Sequence, residues 1–332
     1  MIDTHDGQTE DSAAVLMLCS RLGLNESDSQ ASPLTLREWN ALARKIHESV
    51  LELPGALLGQ SADMLAKHLA LGDSEAERIA RLLDRGGAIA LELEQLSACG
   101  IWYVTRVDDS YPARLKDSLK HQAPPVLFGA GNLSILDQPA VGIVGSRNVD
   151  DEAASFARRL GELCAQSSVA VVSGGARGTD RIAMQGALDG GGCAIGALAD
   201  SLNKTIRQPD VRTFIADERL VLVTPYRPDN GFSIGGAMGR NKIIYGAADY
   251  SVVVSSDFEK GGTWAGATES LSAGWCPLFV RSDMTAGAGN QALIKKGAHP
   301  FAAADLEMVT NLVEWMKVHS ESEPQQAVLA FS

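Results

Sequence analysis

The sequence has few aromatic residues, few cysteines and no long apolar run. Aromatic residues make up 5% of the 332 residues. No stretch of 18 apolar residues occurs, so nothing in the sequence predicts a membrane-spanning helix. The five cysteines are odd in number and scattered, without a CxxC pair or any zinc-type spacing. We therefore expect no metal site, and reduced thiols in the core of a cytoplasmic protein.

The negative charge is unevenly distributed along the chain. The net charge is −12, which at first argues against a nucleic-acid partner. Residues 1–100 contain 8 basic and 16 acidic residues, whereas residues 101–318 contain 21 basic and 23 acidic residues. Because local fields matter more than the total charge, the nearly neutral second part can still carry a basic cleft.

Apolar periodicity divides the chain into two folded parts and two ends. Residues 1–12 are polar and acidic, without the features of a signal peptide, and we expect them to be disordered. Residues 13–99 repeat apolar positions with helical spacing and predict a small all-helical domain. Residues 100–318 alternate strand-like and helical segments. Residues 319–332 are too few for another domain and predict a flexible tail.

The acidic helical part has two possible roles. It contains the segment "LPGALLGQ", which is able to form a hairpin between two helices. A helix-hairpin-helix that contacts DNA is one interpretation. The acidity of this part instead favours a packing or interaction module.

The second part predicts an α/β fold with a doubly wound, mostly parallel, Rossmann-like sheet. Helical segments separate short apolar runs, which is typical of strands joined by helical crossovers. Six runs predict strands, at residues 140–145, 169–175, 193–198, 219–225, 250–256 and 276–282. Ligands of such sheets bind beyond the carboxyl ends of the strands.

Glycines and cations follow several of these predicted strands. The segments are "GSRN" from Gly145, "SGGARGTD" from Ser173 and "EKGGT" from Glu259, with "GRNK" from Gly239 before a strand. Glycine turns let a phosphate reach backbone N–H groups, and arginine adds bidentate donors. Each segment alone can be an ordinary turn or a solvated helix start. Together they predict a phosphate-bearing ligand, although neither GxGxxG nor a P-loop motif occurs.

Residues 100–300 resemble the DNA-processing protein A family (DprA, also called Smf), which has an extended Rossmann fold. The similar segments follow one another in the family's order. They are "GIWYVTRVDDSYPARL" (100–115), "APPVLFGAGNL" (123–133), "VGIVGSR" (141–147), "VVSGGARGTDRIAMQGAL" (171–188), "GRNKIIYGAAD" (239–249), "GGTWAGATESLSAGWCPLFV" (261–280) and "GAGNQALIKKGA" (287–298). Two positions and one segment depart from the family pattern: Met184 replaces a histidine, Lys242 replaces an arginine, and residues 201–220 lack a Tyr-Pro-x-x-Asn segment. The chain therefore resembles a divergent branch of the family.

The resemblance implies a non-enzymatic protein that binds single-stranded DNA, without a cofactor. The family forms dimers and loads the RecA recombinase during natural transformation, so a homodimer and RecA are the implied partners. The family's phosphate-binding turns correspond to matching segments of this sequence, and neighbouring cations and glycines extend them. The implied phosphate-binding residues are Gly145, Ser146, Arg147, Ser173, Gly174, Gly175, Arg177, Gly178, Thr179, Asp180, Arg240, Asn241, Lys242, Lys260, Gly261, Gly262 and Thr263. Stacking of DNA bases needs aromatic rings. Phe232, Tyr245, Phe258 and Trp264 are candidates for this role, although each can equally belong to the core.

Two other functions remain open from the sequence. Divergent members of the family occur in bacterial defence and toxin–antitoxin loci, so the protein can be an antitoxin or regulator that neutralises a toxin encoded nearby. The wider superfamily also contains small-nucleotide sensors and nucleotide phosphoribohydrolases. The phosphoribohydrolase motif is not reproduced, because Lys260 replaces its proline and Glu269 is wrongly spaced.

Overall fold

The computed structural model describes residues 9–24 and 32–321. Its helices are α1 (Glu10–Cys19), α2 (Leu36–His47), α3 (Ala62–Leu69), α4 (Asp73–Leu83), α5 (Gly86–Ala98), α6 (Ala113–Leu119), α7 (Asp151–Gln166), α8 (Thr179–Asp189), α9 (Leu202–Thr205), α10 (Pro209–Ala216), α11 (Ile234–Gly246), α12 (Gly261–Ala273), α13 (Ala288–Lys295), α14 (Ala303–Met308) and α15 (Leu312–Glu321). Short 3-10 turns occur at Pro54–Leu57, Lys120–Gln122 and Leu133–Asp137.

One nine-stranded sheet forms the centre of the fold. Its strands are β1 (Ile101–Thr105), β2 (Val126–Ala130), β3 (Ala140–Val144), β4 (Ala170–Ser173), β5 (Ala194–Ala197), β6 (Leu220–Thr224), β7 (Tyr250–Val253), β8 (Leu278–Arg281) and β9 (His299–Phe301). The order is β1-β2-β6-β5-β4-β3-β7-β8-β9. The pairs β1–β2 and β2–β6 are antiparallel, and the remaining pairs are parallel. This topology confirms the predicted doubly wound, mostly parallel sheet.

The sheet contains three strands that the sequence analysis did not predict. β1 and β2 add an antiparallel edge to the parallel sheet, and β9 closes the opposite edge with only three residues. The chain first builds outward from β3 through β4, β5 and β6, and then returns to place β7 on the other side of β3. The switch point therefore lies between β3 and β7, where ligands of open α/β sheets bind.

Both ends of the described chain are more ordered than predicted. The side chain of Thr9 accepts a hydrogen bond from the N–H of Ser12, so residues 9–12 cap and begin α1 rather than being disordered. Residues 1–8 lie outside the described residues. At the other end, α15 continues to Glu321, and Trp315 stacks on Phe301 at 4.5 Å between ring centres. The first three residues of the predicted tail, 319–321, therefore belong to α15. The remaining residues, 322–332, lie outside the described residues.

The N-terminal helices pack on the sheet through one continuous apolar core. Leu16 of α1 and Ile89 of α5 belong to the same cluster as Phe128 of β2. The hydroxyl of Ser12 also donates to the carboxylate of Asp108 at 3.0 Å, just beyond β1. This part is all-helical, as predicted. A domain boundary between it and the part that begins at residue 100 stays a prediction.

The candidate hairpin in the helical part is a 3-10 turn that packs on α1. The N–H of Gly55 donates to Oδ1 of Asp11 at 2.6 Å. A Cβ at Gly55 would lie 2.9 Å from the Cβ of Glu10, so the turn needs glycine to come this close. Because Asp11 already occupies the N–H that a phosphate would use, this contact favours the packing role over direct DNA contact.

The helices in the described part of the chain include none with the length and apolar character of a membrane span.

Candidate nucleic-acid interface

Two adjoining cavities lie at the carboxyl ends of the central strands. The first cavity, of about 540 Å³, lies between the ends of β3 and β7, one side of α11 and the first turn of α12. The second cavity, of about 310 Å³, lies between the loops that follow β4 and β5. Arg147, Ala176, Phe232 and Arg240 line both, so the two spaces meet at these four residues.

Most of the predicted phosphate-binding residues come together here. Those that line the first cavity are Gly145, Ser146, Arg147, Asp180, Arg240, Asn241, Lys260, Gly261, Gly262 and Thr263. Gly174, Gly175 and Arg177 line the second cavity. Their binding role stays a prediction, but their convergence on one edge of the sheet follows from the parallel strand order.

Ser173, Gly178 and Thr179 line neither cavity and instead hold the turns together. The hydroxyl of Ser173 is buried and donates to the carbonyl of Ile143 at 2.6 Å. The hydroxyl of Thr179 is also buried and donates to the carbonyl of Ser146 at 3.1 Å. Gly178 has φ +90, and a Cβ there would lie 2.6 Å from the same carbonyl oxygen. These residues position the first turn against the second, and their predicted role in binding stays a prediction.

Lys242 also lies outside both cavities. Its Nζ is 2.9 Å from Oε1 of Glu269 and 2.7 Å from Oε1 of Gln122, and it lies 5.7 Å from the centre of the Trp275 ring. Arg240 and Asn241 line the first cavity, but Lys242, the next residue of α11, points away because successive side chains of a helix point in different directions. The prediction that Lys242 binds phosphate is therefore not supported, and Glu269 pairs with it.

Arg240 and Asp180 form a buried pair between the two cavities. The side chains are 6% and 10% exposed, and Nη1 of Arg240 lies 3.9 Å from Oδ2 of Asp180. The carboxylate also accepts hydrogen bonds from the N–H groups of Ala176 and Gly174. Burial raises the pKa of Asp180 to about 6, although the charge of Arg240 opposes that shift. A Cβ at Gly174 would collide with Nη1 of Arg240, so this position requires glycine.

The helix N-termini at this edge are not equivalent. α7 is capped by its own Asp150, which accepts from the N–H of Ala153 at 2.7 Å, and its first turn is acidic. By contrast, α12 begins at Gly261 and has no side-chain cap. Its first N–H groups and the positive end of its dipole are therefore available to an anion in the first cavity, beside Lys260.

Two exposed aromatic rings occur in the loops at this edge: Phe232 lines both cavities, whereas Phe258 lines neither and follows Asp257 of the first cavity. Phe232 is 53% exposed, and Cζ of Arg147 lies 5.2 Å from the centre of its ring. Phe258 is 50% exposed and contacts Trp264 edge to face at 5.3 Å. Tyr245 also lines the first cavity, but it is almost entirely buried in the core, so its ring presents no face for stacking. Phe232 and Phe258 are thus the candidate platforms that the structure presents to solvent.

Several lining residues were missed by the sequence analysis. Asn148 lines the first cavity and accepts from Nη2 of Arg177 at 3.3 Å. Asp257 also lines the first cavity, and Asp200 lines the second. Asp200 closely follows a predicted strand and was recognisable by its position. The predicted set contains glycines, cations and hydroxyl residues after strands and only one carboxylate, that of Asp180, so it lacks Asp200 and Asp257.

Comparison with known proteins identifies the family of this chain. Residues 102–312 match the model of the family described as DNA recombination-mediator protein A. The chain is 30% identical over 157 residues to the DNA processing protein DprA of Streptococcus pneumoniae, covering 47% of this chain and 54% of the relative. It is 28% identical over 268 residues to a putative DprA of Mycobacterium tuberculosis, covering 74% of this chain and 64% of the relative. The chain therefore spans less than two thirds of the length of these two relatives.

Two solved structures share the fold. The X-ray structure of DNA processing protein A from Streptococcus pneumoniae superposes with a TM-score of 0.61 at 21% identity, covering 83% of this chain and 97% of that one. DNA processing protein A from Helicobacter pylori, whose structure is described as showing a single-stranded DNA binding mode, gives a TM-score of 0.52 at 23% identity. It covers 68% of this chain and 99% of that one.

Proposed function

The chain belongs to the DNA recombination-mediator protein A family, and on that premise we propose that its two strand-end cavities bind single-stranded DNA. The observation that carries the proposal is the position of Arg147. Its guanidinium lies over the exposed ring of Phe232 where the two cavities meet. A cation beside a solvent-facing aromatic ring serves both parts of a nucleotide, because the phosphate needs charge and the base needs a stacking surface.

The first cavity supplies the groups that hold a phosphate. The uncapped start of α12 offers N–H groups from Gly261 onward, and Lys260 and Arg147 add positive charge. Fixed N–H donors and a helix dipole bind an oxyanion without base specificity. The phosphate of one nucleotide in this cavity would place the adjacent base near Phe232 or Phe258.

The acidic groups limit how strongly this site attracts DNA. Asp257 lines the first cavity, and Asp180 shares its charge with Arg240. Because these carboxylates offset part of the positive charge, the site neutralises only a few phosphates of the DNA. We therefore expect the binding affinity to depend only modestly on the salt concentration. The logarithm of the affinity should fall by roughly 0.7 for each phosphate contacted per tenfold rise in salt.

The proposal includes no chemical step. The cavities present cations, N–H donors and rings, which are the groups that binding requires. We also carry over the family's cytoplasmic homodimer and its recombinase partner as part of this proposal. A release assay for ribose 5-phosphate from AMP separates the binder from a phosphoribohydrolase, and we expect no product.

Fluorescence anisotropy with labelled oligo-dT tests the proposal. The wild-type protein is titrated at about 50 and 200 mM salt, together with Arg147→Ala and the control Arg212→Ala. Arg212 is an exposed residue of α10 that lines neither cavity, so the control makes the same charge change elsewhere. We expect Arg147→Ala to weaken binding about tenfold and Arg212→Ala to bind as wild type. Absence of binding by the wild-type protein at the lower salt concentration would overturn the proposal.

A further inference from the structure

The second cavity combines a buried cation with an exposed carboxylate. Arg240 lies against its inner wall and is 5% exposed, whereas Asp200 is exposed at its rim. Phe232, Gly174, Gly175, Ala176 and Ala199 also line it, together with two further cations, Arg147 and Arg177. A flat ligand that offers both acceptors and donors would match this arrangement of an aromatic face, a guanidinium and a carboxylate.

The guanidinium of Arg240 has unused hydrogen-bonding capacity. Its ion pair with Asp180 is 3.9 Å long, which exceeds hydrogen-bond distance. Within the described part of the chain, its Nε has no hydrogen-bond partner although it is buried. A buried donor without an acceptor is costly, so the protein by itself leaves the donor set of Arg240 incompletely satisfied. The atoms of Arg240 that line the second cavity can donate to acceptors that a ligand brings.

The carboxylate of Asp200 is equally available. No hydrogen bond or ion pair engages it among residues 9–24 and 32–321. An ionised carboxylate only accepts hydrogen bonds, so it selects a ligand edge that carries N–H groups. Burial lowers the pKa of Arg240, while the charges of Asp180 and Asp200 oppose that shift, which places Asp200 within electrostatic reach of the guanidinium.

We propose that the second cavity binds a single guanine base of the DNA strand, stacked on Phe232 and held between Arg240 and Asp200; this inference rests on the proposed DNA binding. Guanine offers two acceptors, O6 and N7, that suit an arginine. Its N1–H and N2–H groups lie side by side on the neighbouring edge and suit a carboxylate. Thymine has a single ring N–H between two carbonyls, and adenine lacks O6, so neither satisfies both residues. An unstacked base can be recognised along its edges in this way.

The test compares oligonucleotides that differ in one base. The probes are oligo-dT of about ten nucleotides and the same strand with a central dG, with deoxyinosine, which lacks the N2 amine, or with 7-deaza-dG, which lacks N7. We expect the dG strand to bind about tenfold tighter than oligo-dT, and each analogue to lose part of that gain. In Asp200→Asn the ratio of dG to oligo-dT affinity should fall to near one. Asp210→Asn on α10, which lines neither cavity, should keep the wild-type ratio.

The outcomes separate this inference from the proposed function. Binding of every strand with equal affinity overturns the guanine site and leaves DNA binding intact, with Arg240 serving phosphate alone. If no strand binds, the proposed function fails, and calorimetric titration with 5′-GMP and 5′-IMP then decides the inference by itself. Tighter binding of GMP, lost in Asp200→Asn, supports the guanine site, whereas equal or absent binding of both nucleotides overturns it.

Discussion

Arg147 and Phe232, which lie far apart in the sequence, meet at 5.2 Å between Cζ and the ring centre. Arg147 follows β3, and Phe232 precedes α11. Their contact joins the first cavity to the second and leaves half of the ring exposed to solvent. A ligand bound there meets charge and an aromatic surface together.

Removal of the Phe232 ring should weaken DNA binding without affecting the fold. Stacking of a base on an aromatic side chain contributes about 1–3 kcal/mol, so we expect Phe232→Ala to bind oligo-dT about 5- to 150-fold more weakly. The ring is half exposed, so the melting temperature should change little. Leu91→Ala, at an exposed apolar residue of α5, is the control. Equal affinities of Phe232→Ala and wild type would show that the ring is not a platform.

Two lysines near the site should differ in their effect on the salt dependence. Lys260 lines the first cavity, whereas Lys242 is held by Glu269 and Gln122 outside it. We expect Lys260→Ala to reduce the slope of log affinity against log salt by roughly 0.7, and Lys242→Ala to leave the slope as in wild type. Anisotropy titrations over a range of salt concentrations measure both slopes. A reduced slope for Lys242→Ala with an unchanged slope for Lys260→Ala would reverse the assignment.

Asp180 should make the stability of the protein depend on pH. Its pKa is raised from 3.8 to about 6 in the folded protein because it is buried. A raised pKa means that this carboxyl contributes stability below about pH 4, which is lost as the pH rises through about 6. The free energy of unfolding of Asp180→Asn minus that of wild type should therefore rise by about 3 kcal/mol at most as the pH rises from 4 to 7. Urea unfolding at several pH values measures this difference, and parallel curves for the two proteins would contradict it.

Gly174 should tolerate no side chain. A Cβ there would collide with the guanidinium of Arg240, which is buried and paired with Asp180. We expect Gly174→Ala to lower the free energy of unfolding by about 1–3 kcal/mol, as overpacking does. Gly87→Ala in α5 is the matched control, because nothing lies within 4 Å of its added Cβ and alanine favours the helix. Chemical denaturation of both variants should show a lower free energy of unfolding for Gly174→Ala and a higher one for Gly87→Ala. An unchanged free energy of unfolding for Gly174→Ala would mean that Arg240 moves freely.

The sequence predicts the central sheet well because the buried parallel strands are short apolar runs. β3 and β4 belong to this class and have every residue buried. β9 escaped prediction because it has three residues, one of them proline. β1 carries partly exposed residues at its centre, since it lies at the antiparallel edge of the sheet.

The sequence predicts on which edge of the sheet the candidate residues meet, but not which of their side chains line the cavities. Parallel topology alone brings the turns after β3, β4 and β7 to one edge, so motifs in those turns were correctly grouped. Which side chains face the cavity depends on the rotation of each element, and Lys242 and Ser173 point elsewhere for that reason. The contact of Arg147 with Phe232 and the position of Asp200 arise from tertiary packing, which one sequence does not encode as a local pattern.

Photo-crosslinking tests the central claim most directly, because it reports where the strand lies. The full-length protein is irradiated in complex with oligo-dT that carries 5-iododeoxyuridine, and the crosslinked peptides are identified by mass spectrometry. We predict crosslinks at Phe232, the exposed ring that lines both cavities, and at Phe258, the exposed ring beside Asp257 of the first cavity. Crosslinks confined to the N-terminal helices α1–α5, with none in the loops after β3 and β7 or before α11, would contradict the account.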